Sequence, residues 1–133
     1  MSTLLSFYPG AYGPTLMIDP EDLCELIAIQ RAFENLASAT LNRVEFCEVV
    51  LCRRDAIEAL TLQLVQSAQS KALEIRGLGP NGPEFLWSNT QEGWQRCASL
   101  VEGLVAFKKP GHQYLTRLPV DDALVELCFQ ETL

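Results

Sequence analysis

The stretch RVEFCEVVLCRRDAIEALTLQLV, residues 43–65, can be read in two ways, and the fold class turns on the choice. Val44, Cys47 and Leu51 fit the 3.6-residue period of a helix, which would make residues 42–68 one long helix. The same stretch is rich in β-branched and aromatic side chains, and Leu60, Leu62 and Leu64 alternate with Thr61 and Gln63. Alternation puts every second side chain on one face, the pattern of a half-buried strand. Two strands, RVEFCEVVLC and IEALTLQLV, are the expectation, with the long helix as its competitor.

Toward the C-terminus, SAQS (67–70) turns the chain into KALEIRG (71–77), a strand with Leu73 and Ile75 on one face. After the Gly/Pro-rich GLGPNGP (77–83), EFLWS (84–88) reads as a short strand. Ser88 and Gln91 have the spacing of a capping box, and Trp94, Cys97, Ala98, Val101, Leu104 and Val105 then form the apolar stripe of a helix. Lys108 and Lys109 suit the negative end of that helix, and Pro110-Gly111 stops it. HQYLTRL and ALVELCF, joined through PVDD, are predicted to close the fold as a hairpin. Toward the N-terminus, DPEDLCELIAIQRAFENLA predicts a helix over residues 20–38, with Asp19 as N-cap and Pro20 at the first helical position. Residues 1–18 alternate apolar pieces with Pro-Gly and Gly-Pro, which suggests two brief strands or an extended arm. The expected architecture is α+β, a single domain over residues 1–133: a largely antiparallel sheet of about five to six strands with two main helices packed on one face.

Seventeen acidic against ten basic residues give a formal charge of −7, the wrong sign for a protein that must neutralise phosphates, so nucleic acid is not an expected partner. Nine of the acids but only four of the bases fall in residues 1–67. The five cysteines, 24, 47, 52, 97 and 128, are an odd number without a C-x-x-C pair, which reads as free, buried thiols in a reducing, cytoplasmic setting. The uncharged first eighteen residues are broken by Pro9, Gly10, Gly13 and Pro14, so neither a signal peptide nor a membrane span is expected.

Trp87 and Trp94 bracket the strand-to-helix corner; two readings stay open, a pair packed in the core or an aromatic anchor at an interface. His112 is the sole histidine, so no His-rich metal site can form and no metal or cofactor is expected. It could serve a thiol nucleophile, Cys97 or Cys128, if the fold brought them together. GLGPNGP lacks the Lys-Ser/Thr of a phosphate loop, and its prolines remove amide donors. Glu45, Glu48, Asp55 and Glu58 are carboxylates placed to act as negative contacts to a partner; Asp121 and Asp122 are explained by a turn.

The C-terminal half resembles small bacterial toxin-immunity proteins of the contact-dependent and type VI kind. In that pattern an E-F-x-x-S strand runs into a helix bearing a tryptophan, then a P-G-H-x-Y-L turn, then a terminal strand carrying E-L. The matching positions are Glu84, Phe85, Ser88, Trp94, Pro110, Gly111, His112, Tyr114, Leu115, Glu126 and Leu127, over residues 73–130. The resemblance implies a non-enzymatic protein that blocks a cognate toxin by occlusion. The partner surface expected from it and from the charge comprises Glu45, Glu48, Asp55, Glu58, Trp87, Trp94, His112 and Tyr114, with Tyr12 as a further aromatic, against a basic partner. The alternative is an adaptor subunit that docks or forms a homodimer through its sheet edge or through an N-terminal arm bearing Phe7, Tyr8 and Tyr12.

Overall fold

The structure, a computed structural model, describes residues 2–10, 12–68, 71–107, 111–116 and 121–129. Lys108, Lys109 and Pro110, expected to end the second long helix, lie outside the described residues. Among those described, nine strands form two sheets and three helical segments join them: α+β, as expected, but with a different sheet plan.

The chain opens with a hairpin, β1 (Thr3–Gly10) and β2 (Gly13–Asp19), paired from Leu4 opposite Asp19 to Gly10 opposite Gly13. The segment read as a hairpin or an arm is thus a hairpin, and it occupies the interior of a five-stranded sheet. Helix α1 (Leu23–Ala37) follows. Its N-cap is Asp22, whose carboxylate accepts from the Glu25 amide at 2.9 Å; Asp19, expected in that role, is the last residue of β2. The Glu25 carboxylate reaches back to the Glu21 amide at 2.9 Å, so both acids bind amides where the helix dipole is positive. Leu26, Ile29, Phe33 and Leu36, at helical spacing, are fully buried.

The stretch that opened the reading is neither one helix nor two strands. β3 (Arg43–Glu45) is followed by a single helical turn, α2 (Phe46–Val49), then β4 (Cys52–Asp55) and β5 (Ala59–Leu64). A continuous strand would put Phe46, Glu48 and Val50 on one face and drag a carboxylate into the core. The helical turn instead buries Phe46 and Val50, four residues apart, and leaves Cys47 and Glu48 exposed. A second hairpin, β6 (Leu73–Gly79) and β7 (Gly82–Asn89), leads to α3 (Gln91–Phe107) and to a third, β8 (Gly111–Thr116) and β9 (Leu124–Phe129). Thr90 caps α3, its hydroxyl accepting from the Gly93 amide at 3.3 Å. The expected capping box fails because Ser88 is a buried strand residue and Gln91 donates instead to the Ala37 carbonyl at the end of α1.

The strand order is β4-β1-β2-β9-β8 in one sheet and β3-β5-β7-β6 in the other. Both are mixed, which corrects the expectation of one largely antiparallel sheet. β1 runs parallel to β4, β2 parallel to β9, and β5 parallel to β7. The reason is connectivity. Helix α1 carries the chain from the first sheet to the second and α3 carries it back, so strands far apart in sequence meet running the same way.

One core serves both sheets. Phe7 of β1 meets Phe85 of β7 edge-on at 5.2 Å between ring centroids. Phe33 of α1 lies 5.5 Å from Trp87, edge to face, and 5.5 Å from Trp94, stacked at 26°, while the two indoles are 4.9 Å apart. Trp94 Nε1 donates to the Gln63 carbonyl at 3.0 Å. Two cysteines, Cys97 and Cys128, are buried, but Cys24 and Cys47 are exposed and Cys52 is half-buried, against the expectation of uniformly buried thiols. Among the described residues no helix is long and apolar enough to cross a membrane.

Asp121 and Asp122 do more than form a turn. Asp121 accepts from the Ala72 and Leu73 amides at 2.7 and 3.3 Å and from the Thr116 hydroxyl at 2.6 Å. Asp122 accepts from the Ile75 amide at 2.8 Å and from Lys71 Nζ at 2.7 Å. The two carboxylates therefore tie the last hairpin of one sheet to the edge strand of the other, and satisfy amides that an edge would leave open.

Two outcomes follow from these contacts. Phe33→Ala removes the ring that packs on both indoles and should cost about 3–5 kcal/mol in urea unfolding. The Asp122 carboxyl is held below its usual range, chiefly by the hydrogen bond from Lys71 and then by the Ile75 amide. A depressed carboxyl contributes stability above its unfolded value, near 3.9, that is lost as pH falls toward the folded one. Stability measured between about pH 5 and pH 2 should therefore fall less steeply in Asp122→Asn than in the parent.

Candidate functional site

In the five-stranded sheet Leu5, Phe7, Leu16, Ile18, Val125 and Leu127 face the core, fully or largely buried. Alternation puts their neighbours on the opposite face. Two rows of paired residues cross that face. Asp55, Ser6, Met17, Glu126 and Tyr114 are successive partners from β4 to β8; Arg53, Leu4 and Asp19 make the adjoining row at one end, and Cys128 opposite His112 at the other.

Glu126 is the centre of this face. It is 8% exposed, yet it sits where polar residues look outward. The Tyr114 hydroxyl donates to its carboxylate, and this bond, with burial and the Glu126 charge behind it, raises the phenol above its ordinary range. Tyr8, on β1, is raised too, first by burial and then by the Glu126 and Cys128 charges. Tyr12, at the tip of the first hairpin and 81% exposed, lies near enough to act on Tyr114. The three tyrosines of the chain thus all come to this one face. Asp19 at its margin is raised by burial, partly offset by Arg53 and His112.

His112 Nδ1 is 3.3 Å from Glu126 Oε1, and Nε2 is 3.8 Å from Cys128 Sγ. An ionised carboxylate can only accept, so in the neutral ring Nδ1 carries the hydrogen and Nε2 is left to accept from the thiol. Thiol, imidazole and carboxylate in this order are the parts of a nucleophile–base–orienter chain. Here, however, the sulfur is 1% exposed on an open sheet face, and a substrate atom cannot reach it without displacing its neighbours. The other thiol considered for that role, Cys97, is on α3, donates to the Leu115 carbonyl at 3.7 Å, and is pushed up to about 12 by burial.

The structure therefore brings together His112, Tyr114 and Tyr12, and Asp55 joins them at the far end of the Glu126 row. The other carboxylates lie elsewhere. Glu45 is on β3 of the second sheet and accepts from the Thr61 hydroxyl at 2.8 and 3.0 Å; Glu48 is exposed on α2; Glu58 accepts from the Asn81 amide at 3.2 Å and lies across Gly79. Trp87 and Trp94 are wholly buried, so of the two readings the core pair is the one observed and neither ring offers surface to a partner. Tyr8, Glu126 and Cys128 were not brought together from the sequence. The available signal was the hairpin itself: H-x-Y on one strand opposite E-x-C on the next, four side chains that alternation forces onto one face.

Two open clefts lie away from this face. One, of about 920 Å³, is lined by Asn42, Leu64, Gln66, Ser67, Thr90 and Glu92 among others. The other, of about 520 Å³, lies on the four-stranded sheet and carries Arg43, Glu45, Thr61, Arg76 and Glu84. Among the described residues no three His, Cys, Asp or Glu side chains are placed to hold a metal ion. Cys47, exposed on α2, is a free thiol whose titration is lowered. The hydrogen bond with the Cys52 thiol and the charge of Arg54 outweigh burial and Glu45, and bring it down to about 7.

Compared with family models, with curated proteins and with solved structures, the chain matches none.

The thiols separate the nucleophile from the packed residue. Iodoacetamide on the native protein should alkylate Cys47 at a rate that climbs through about pH 7, as its thiolate forms. Peptide mass mapping should find Cys97 and Cys128 unmodified until urea is added; labelling of Cys128 as fast as Cys47 would make it an accessible nucleophile.

Proposed function

We propose that this protein acts by binding, as a cytoplasmic immunity protein that neutralises a basic bacterial toxin by covering its working surface. The observation that carries the reading is that Tyr114 bonds the Glu126 carboxylate on a sheet face where Tyr8 is near enough to feel its charge and exposed Tyr12 lies near Tyr114. Tyrosine gives large contact area at low conformational cost and is enriched among the residues that dominate interface energies. The face belongs to five hydrogen-bonded strands, so it is formed before a partner arrives and binding does not have to order it. The formal charge of −7 steers a basic partner toward the molecule and away from like-charged competitors. The resemblance to immunity proteins rests in part on His112, Tyr114 and Glu126, which meet on this face.

An adaptor that docks through a free N-terminal arm fits less well, since Thr3–Gly10 and Gly13–Asp19 are interior strands.

The test is co-expression with the toxin encoded by the adjoining reading frame. Growth should be restored and the two proteins should co-purify, while Tyr12→Ala and Tyr114→Ala should each weaken the complex at least roughly tenfold, about 1.4 kcal/mol. Growth arrest despite abundant soluble protein would end the reading.

A further inference from the structure

Glu126 presents a charge problem that the fold leaves half-solved. Removing a carboxylate from water is costly unless a cation or several donors replace the lost hydration. Its side chain is 10% exposed, and among the described residues the ion pair recorded for it is His112, at 3.3 Å, which is charged only when protonated. Lys71, just before β6, is paired with Asp122, and Arg76 with Glu74 on β6 itself. Arg53 is held by the Ser2 hydroxyl at 2.7 Å, in the adjoining row. On the face, Glu126 has Met17 opposite it on one side and Tyr114, bonded to it, on the other; Tyr8 is close enough to sense its charge, and Tyr12, near Tyr114, is exposed at the hairpin tip. A carboxylate floor with phenol walls is the chemistry that receives a cation, since the faces of aromatic rings attract positive charge.

We propose that this face is a receptor for an arginine side chain of a basic protein partner, with the guanidinium seated on the Glu126 carboxylate and stacked against the tyrosines. Arginine fits better than lysine. Its planar, weakly hydrated head can donate in its own plane to the carboxylate while its face lies on a ring, whereas an ammonium must give up a tight hydration shell. Asp55, in the same row of the sheet, extends the negative strip along which such a side chain approaches. The inference rests on the binding reading above and adds the chemistry of the contact.

The intact protein, isotope-labelled, is titrated with N-acetyl-L-arginine amide, with the lysine amide, and with the citrulline amide, which has nearly the shape of arginine and no charge. Arginine amide should shift the resonances of Tyr8, His112, Tyr114 and Glu126 with a half-saturation in the roughly millimolar range, near the weak end of the affinity scale. Citrulline amide should need at least ten times more, and lysine amide should fall between. Glu126→Gln should lose the arginine response at least tenfold; Tyr114→Phe, which keeps the ring and removes the donor, should keep most of it. Fluorescence of the buried Trp87–Trp94 pair reports whether each variant is folded. Equal responses to arginine and citrulline, or shifts confined to Glu45, Glu48 and Glu58, would overturn the proposal. The toxin assay is scored separately. Arginine binding without rescue leaves the receptor standing and removes the immunity reading. Full rescue by a folded Glu126→Gln variant keeps that reading and overturns this contact.

Discussion

The structure depends on Phe33, Trp87 and Trp94 packing against one another as a triangle of rings. These three rings belong to the first long helix, to an interior strand of the four-stranded sheet, and to the first turns of the second long helix. Both helices carry the chain from one sheet to the other, so the place where they lock fixes which strands can meet. With ring centroids 4.9 to 5.5 Å apart, the cluster has little room for another packing. Phe85, two residues before Trp87 on the same face, then meets Phe7 of the other sheet, and the contact passes from helices to both sheets through adjacent side chains.

That dependence explains what could be read from the chain and what could not. Both long helices and the last two hairpins were legible, because each is set by local signals, an apolar stripe or a turn between alternating runs, whereas the first segment stayed open between two strands and an arm. The parallel seams were not. Alternation of side chains is the same in either direction, and nothing within Gly13–Asp19 says that it will lie beside Leu124–Phe129. That pairing is decided by where the helices deliver the strands. The break after Glu45 was hidden for another reason. Phe46 and Val50 suit a strand by composition, and the demand that Glu48 stay in water is a tertiary one.

The candidate site divides along the same line. His112 and Tyr114 were singled out as residues of chemical interest, and both are on the face. Glu126 entered through resemblance alone, and Tyr8 as part of an arm, because the strands that unite them are more than a hundred residues apart in sequence. Carboxylates that looked alike in sequence have separate roles here. Glu58 braces the turn between the second pair of hairpin strands, Glu45 binds Thr61 across an edge, and Asp55 shares a row with Glu126. Net acidity did not say which of these carboxylates would share one face.

The aromatic side chains divide between the core and one outer face. Both tryptophans are buried, as are Phe33, Phe46, Phe85 and Phe129, and they supply the apolar area that holds two mixed sheets together. The tyrosines, with a polar end that tolerates water, stand together on the far side of one sheet. A phenol needs only two torsions to be fixed, and strands fix their direction before any partner arrives. Burying a carboxylate among such rings works against stability, and among the described residues Tyr114 and His112 are the groups bonded to it. A cation brought by the proposed partner would offset that cost on a sheet whose five strands are already paired.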